Sequence, residues 1–498
     1  MHPIEDAAIL MRYAGHLAQG HGVVWNVGEP PVDGVTDFLF VIVVGYVHFL
    51  GIGLEMAARA VTIGAHLITV VLIYLAIRLI HKSGILAAAL SALYFALGPG
   101  LLYASVYFGT PFFILFVTLA WISALRIIHR YNSASTYFAF SICALLMGLA
   151  RPEGVIVAVL MLIAVCFMLG PNERKHAFCY FLFVFLLLGG AYFIWRWYYF
   201  GYPLPNPFYK KGGGHLYLRS LLTAINYAFE FCFPIIPAFV LAFRSGRLLK
   251  LAQCYAIPIV GSTCMWILLS NEMNFAGRFQ YLIYPLGLLS WYPLVASVRV
   301  DYGFPLLRDL DCRNRFVLIA LAIFISSSLL LLRMQLSVVG SSYRDRNYDI
   351  AYMLSDYADK GYTMCTTEAG LLPFYSKWRS IDAWGLNDSK IAHSGIITQE
   401  YLESIKPDLI IWHGYFSPIA PLSGRTGDLG PAWNQMVEEL KLYAETNAYV
   451  LAGVFGTSPY DTRYYYVAQG NSDCKEIVAR IRSLRSSEVN YALLHPSP

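Results

Sequence analysis

Apolar runs of bilayer-crossing length recur through the first two thirds of this 498-residue chain and stop after Arg333. Such a chain has no water to satisfy its backbone in those runs, so they must be helices. Crossing ~30 Å of hydrocarbon at ~1.5 Å per residue takes about 20 residues. The runs lie near 59–80, 85–107, 111–128, 137–149, 154–169, 177–198, 221–243, 254–270, 281–298 and 316–332, with 137–149 the shortest. They predict about ten transmembrane helices, preceded by an interfacial helix over 38–54. Composition agrees, with 57% hydrophobic and 13% charged residues, where soluble domains carry about 25% charge.

The formal charge of +5 is a topology signal and not a nucleic-acid footprint, because the cations gather in short loops. One set of loops holds Arg78 and Lys82; Arg126 and Arg130; Arg174 and Lys175; Arg244, Arg247 and Lys250; then Arg299, Arg308, Arg313 and Arg315. The positive-inside rule makes these cytoplasmic. The opposite loops, near 107–111, 150–154, 199–220 and 271–278, carry few cations, namely Arg151, Lys210, Lys211, Arg219 and Arg278. An even number of crossings puts both ends on the outer side of a plasma (inner) membrane. The expected segments are an outer loop with interfacial helices and an acidic motif (1–57), a transmembrane helical domain (58–333) and a soluble extracytoplasmic domain (334–498). Met1 to Gly34 holds no signal-peptide core.

After Tyr343 the pattern alternates between helix and strand: helix 348–360, strands 362–366 and 408–412, helix 433–446, strands 449–455 and 464–468, and helix 474–484. This predicts an α/β layer domain. The nine cysteines show no metal-ligand spacing, so zinc is not expected. Cys365 and Cys474 are the thiols of the outer domain, and an oxidising compartment would permit a bridge or leave two buried free thiols.

Glu5 and Asp6 open a segment with helical spacing of Ile9, Tyr13 and Leu17. An exposed carboxylate there can act as a general base toward a sugar hydroxyl, or simply complement a helix dipole. Further on stand Gly20-His21-Gly22, Trp25-Asn26-Val27-Gly28-Glu29 and Val32-Asp33-Gly34-Val35-Thr36-Asp37-Phe38-Leu39. With the acidic pair and Arg12-Tyr13-Ala14, this order resembles the first outer loop of GT-C fold glycosyltransferases. It is most similar to the mycobacterial terminal arabinofuranosyltransferase family and its bacterial relatives. Ala150-Arg151-Pro152-Glu153-Gly154, the stretch from Tyr199 to Lys210, Gly277-Arg278-Phe279 and the stretch from Ile381 to Asp388 extend the resemblance along most of the chain. The chain departs from the family in having Glu-Asp where relatives carry Asp-Asp, Ala8 where an aromatic follows, and Asp33 for Glu. The helix that precedes the acidic pair in the family is missing from this start.

The resemblance implies a polyprenyl-phosphate sugar donor, with Asp6 as base and Glu5 second to it. Arg151 and Arg278 would hold the phosphate. Lys210 and Lys211, like Arg219, either join them or snorkel to lipid headgroups. Arg12 is expected to pair with the acidic cluster. His21 and Trp25 would line the sugar pocket, Trp25 being equally natural as an interfacial anchor. Asn206 lies in a Pro-rich stretch suited to a fixed wall or a plain connector. Asp382 would face the acceptor or close an Asx turn.

The expected reaction moves one sugar from the lipid phosphate to a hydroxyl on an extracytoplasmic glycan, lipid or protein of the cell envelope, inverting the anomeric centre. No nucleotide is needed, and Glu5 and Asp6 could bind a divalent metal, although the sequence gives no ligand set for one. The rivals are a transporter or flippase of a lipid-linked saccharide, which should carry charge deep in its spans, and a non-catalytic envelope scaffold.

Overall fold

Pro99, Pro234 and Pro152 interrupt apolar runs, and each interruption decides where a helix ends, because proline donates no backbone hydrogen bond. The computed structural model describes residues 2–131, 133–212, 216–301, 325–336, 347–484 and 489–494. Its first two thirds are helical. Helix α1 (Glu5–Ala18) packs on α2 (Phe38–Phe49) and both on α3 (Leu54–Leu79). At 12 residues, α2 reaches only ~18 Å, short of a bilayer core.

Three helices among the described residues are long and apolar enough to cross a membrane: Leu54–Leu79, Thr110–Ile128 and Pro171–Phe200. A fourth crossing arises if Leu218–Cys232 and Ile236–Arg244, bent by 92° across Pro234, act as one span. Shorter apolar helices, Ile85–Ala96, Ala134–Ala150, Glu153–Met168 and Ile325–Leu336, fill out the bundle. The run at 85–107 is therefore not one continuous helix. It breaks at Gly98-Pro99 into Ile85–Ala96 and Gly100–Ser105. Pro171–Phe200 passes through a π turn at Phe185–Gly189 and exposes Leu186 and Ile194, the apolar surface a helix turns toward lipid. Arg308, Arg313 and Arg315, together with the first part of the run at 316–332, lie outside the described residues.

The last third forms one six-stranded sheet in the order β2-β1-β3-β5-β4-β6. The strands are β1 (Thr363–Thr366), β2 (Arg379–Asp382), β3 (Leu409–Gly414), β4 (Tyr449–Ser458), β5 (Asp461–Ala468) and β6 (Val489–Asn490). β1 runs parallel to β2 and β3, whereas β3, β5, β4 and β6 pair antiparallel in turn. One apolar cluster, around Trp412, Trp433 and Leu440, holds Cys365. A separate cluster, around Ile350, Ile477 and Ile481, holds Cys474. The two thiols are free.

The first loop is clamped to this sheet. Trp25 Nε1 donates to Ser380 O at 2.9 Å, Asn26 Oδ1 accepts from Ser380 N at 3.0 Å, and Arg379 meets Glu29 at 2.6 Å.

Candidate active site

Asp6 stands in the first turn of α1, where a carboxylate complements the helix dipole. Its Oδ2 lies 2.5 Å from the Arg278 guanidinium, and its side chain, 45% exposed, lines a cavity of about 340 Å³. Arg151, Lys211 and Arg278 line the same cavity, as do Asp37 and Glu153. Burial pushes the Asp6 carboxyl up, but Arg278, Lys211 and Arg151 outweigh it and hold the group below its ordinary value.

Local sequence places each cation. Arg151 caps the helix Ala134–Ala150 in an extended conformation, as expected for a residue before proline, and Glu153 then starts the next helix. Arg151 Nε lies 2.7 Å from Glu153 and 3.8 Å from Asp37. A Cβ on Gly154 would come within 2.4 Å of Met147 O, so the Arg-Pro-Glu-Gly turn closes only with glycine. Arg278 follows two left-handed residues, Ala276 (φ 50) and Gly277 (φ 73), and a side chain at Gly277 would strike the Tyr227 ring. Lys211 ends a short helix, Asn206–Lys211, started by Pro205 and Pro207. Burial lowers its pKa to about 8; Asp6 opposes that fall, whereas Arg278, Arg425 and Arg151 add to it.

Aromatic rings pack against the guanidiniums. Phe279 lies 4.8 Å from Arg278 and 5.2 Å from Arg151, and stacks on Trp266 at 4.9 Å. Phe108 lies 4.6 Å from Arg278. Such rings hold a guanidinium in place without consuming its donors, and the buried Arg278 Nε has no acceptor among the described residues.

Other expected site residues fall elsewhere. Glu5 does not line the cavity; its Oε2 accepts from Gly370 N at 2.8 Å and Leu371 N at 3.0 Å. Arg12 does not pair with the acidic cluster. It donates to the carbonyls of Trp25, Pro373 and Trp378 and to Asn26 Oδ1, because four buried acceptors satisfy a guanidinium better than one half-exposed carboxylate. Trp25 is 1% exposed and fixes the loop to β2. His21 is exposed and off the cavity. Asp382 accepts from Trp384 N, Gly385 N and Asn387 N, closing an Asx turn. Asn206 is buried and donates to Leu386 O at 3.2 Å, joining the Pro-rich stretch to the last third. Lys210 turns to Gly395 O and lies 4.3 Å from the Trp384 ring. Its pKa falls to about 8 through burial, with Asp382 opposing.

Asp37 and Glu153, which also line the cavity, carry one signal in the sequence, an acid beside an apolar run. Burial pushes Asp37 up, against Arg151. The carboxylates here are matched to arginines, and no group of three or more acidic, His or Cys side chains among the described residues could hold a metal ion. Three carboxylates, Asp6, Asp37 and Glu153, and three cations, Arg151, Lys211 and Arg278, share the cavity wall.

Residues 337–469 match a family described as a domain of unknown function, DUF8728. No curated protein matches the sequence. Solved structures do resemble the whole chain. ArnT from Cupriavidus metallidurans in the apo state superposes with a TM-score of 0.59 at 14% identity, covering 97% of this chain and 95% of that one. The same protein bound to undecaprenyl phosphate gives 0.55 at 13%, covering 94% and 95%. The archaeal oligosaccharyltransferase AglB from Archaeoglobus fulgidus, in complex with an inhibitory peptide and a dolichol-phosphate, gives 0.52 at 13%, covering 94% and 70%. The chain therefore has the GT-C fold shared by these glycosyltransferases.

Proposed function

We propose that this chain is a membrane glycosyltransferase that moves a sugar from a polyprenyl phosphate to an acceptor hydroxyl, with inversion. The observation that carries the reading is the meeting of Asp6 with Arg278 in one cavity that also holds Arg151 and Lys211. Two solved structures of the same fold hold undecaprenyl phosphate or dolichol-phosphate, the class of lipid carrier that the proposed reaction releases. The proposed topology has about ten crossings, with the cavity and the last third facing outward from a plasma membrane.

The donor phosphate enters beside Arg278, Arg151 and Lys211, whose charges favour it. Sharing Arg278 with the phosphate weakens its hold on Asp6 and adds a neighbouring negative charge, so the carboxylate becomes a better base. The acceptor oxygen attacks the anomeric carbon from the face opposite the phosphate, and its proton passes to Asp6. As the new C–O bond forms, the bond to the phosphate oxygen breaks. Its electron pair leaves with that oxygen, where the cations stabilise the growing charge. No step is routed through a metal.

The test is sugar transfer from a polyprenyl-phosphate sugar pool by membranes carrying Asp6→Asn. Loss of transfer with normal folding supports the reading. Retained transfer removes Asp6 as base, and retained lipid-linked saccharide transport without transfer would favour a flippase.

A further inference from the structure

A second concavity, of about 720 Å³, opens in the last third between the helix Gly430–Thr446 and strands β3 and β5. Its volume is in the ~300–1,000 Å³ range of small-ligand sites. Rings of Tyr415, Phe416, Trp433 and Tyr464 form its walls. Two hydroxyls among its lining residues are out of solvent and without a hydrogen-bond partner: Ser417 Oγ, on a residue 1% exposed, and Ser423 Oγ. A buried hydroxyl left unpaired is unfavourable, so this pair marks a place where a hydroxyl-bearing ligand would complete the bonding. Charge in the lining is mixed, with Lys441 3.9 Å from Glu445. β3 and β5 are both interior strands, so the groove offers no free strand edge to an extended peptide.

The groove is joined to the Asp6 cavity. The loop after Ser423 brings Arg425 to within 4.6 Å of Trp433 on one side and 3.1 Å of Glu272 on the other. Glu272 also accepts from Leu429 N at 2.9 Å, and its own N–H donates to the hydroxyl of Ser270, which lines the cavity.

We propose that this groove binds a neutral saccharide, the part of the acceptor remote from the reacting hydroxyl. Flat C–H faces of sugar rings would lie on the aromatic walls while sugar hydroxyls bond Ser417 and Ser423. The proposal rests on the transfer reading for its role but not for its binding. The full chain in lipid nanodiscs is titrated with a panel of neutral tri- and tetrasaccharides and with uncharged peptides of equal mass. Undecaprenyl phosphate binding is measured in parallel. Phe416→Ala and Ser417→Ala should each weaken saccharide binding about tenfold and leave undecaprenyl phosphate affinity at the wild-type value. Binding of no saccharide, binding indifferent to both substitutions, or preference for the peptides overturns the proposal. Saccharide binding without undecaprenyl phosphate binding keeps the groove and removes the transfer reading; the converse removes the groove alone.

Discussion

Arg12 and Arg196 on one side, Arg278 on the other, show two ways of bonding a buried guanidinium, with Arg151 between them because Glu153 and Asp37 flank it. Arg196 grips both oxygens of Asp33 at 2.8 and 2.6 Å and donates to the Tyr192 hydroxyl at 3.2 Å. Arg12 is likewise saturated by acceptors within the protein. Arg278, by contrast, has a single carboxylate, a long 3.4 Å contact to Met273 O and aromatic faces. A guanidinium whose donors are all used holds a fold together. One held by rings keeps donors for a ligand.

The sharpest way to break that contrast is to change the two adjacent carboxylates separately. Asp6→Asn should lower transfer about 100- to 10,000-fold, far more than the modest loss of stability from its ion pair with Arg278 accounts for. Glu5→Gln should instead lower stability by about 1–3 kcal/mol, by weakening the bonds to the amides of Gly370 and Leu371, while transfer per folded molecule holds. Transfer assays and thermal melts on both variants decide it.

Next come the arginines. Arg278→Gln and Arg151→Gln should cost about 100- to 1,000-fold in transfer. Arg196→Gln, which strands the buried Asp33, should cost about 3–5 kcal/mol of stability. Equal loss of stability in all three would erase the distinction.

A smaller effect is expected from pH. With its pKa near 8, Lys211 loses its proton as pH rises through that value, so undecaprenyl phosphate affinity should fall there, by up to about tenfold. Lys211→Arg should flatten the fall, because arginine keeps its charge. Asp6, held below its ordinary value of 3.8, contributes its electrostatic stability fully above that value and loses it as pH falls through the lowered pKa. The least effect is expected from a chelator, since the carboxylates at the cavity are already matched to arginines. Transfer rates with and without EDTA check this.

The meeting of Asp6, Arg151 and Arg278 at one cavity was legible because they stand in short motifs at the ends of apolar runs, where charge needs a reason. Lys211 was legible only as one of two neighbours; helix geometry turned it to the cavity and Lys210 to Gly395. The partners of Arg12 were not legible, since they are mostly backbone carbonyls, which carry no sequence signal. Asp33 and Arg196 lie 163 positions apart, and neither local pattern names the other. The α/β alternation of the last third was readable from long apolar strands such as β3. The four-residue β2 and the short helices Leu371–Ser376, Ser389–Ser394 and Gln399–Ile405 are too brief for periodicity to register. The run at 85–107 was read as continuous because hydropathy averages across Gly98-Pro99.

The clamp on the first loop sets an order of assembly. Arg12 bonds Trp378, 366 positions later, and Glu5 bonds Leu371 at the same remove. The helix Glu5–Ala18 is tied down by residues synthesised 366 positions after their partners, and contacts of such separation form slowly. The helix bearing Asp6 is therefore held in place by contacts that a chain ending before the last third would lack.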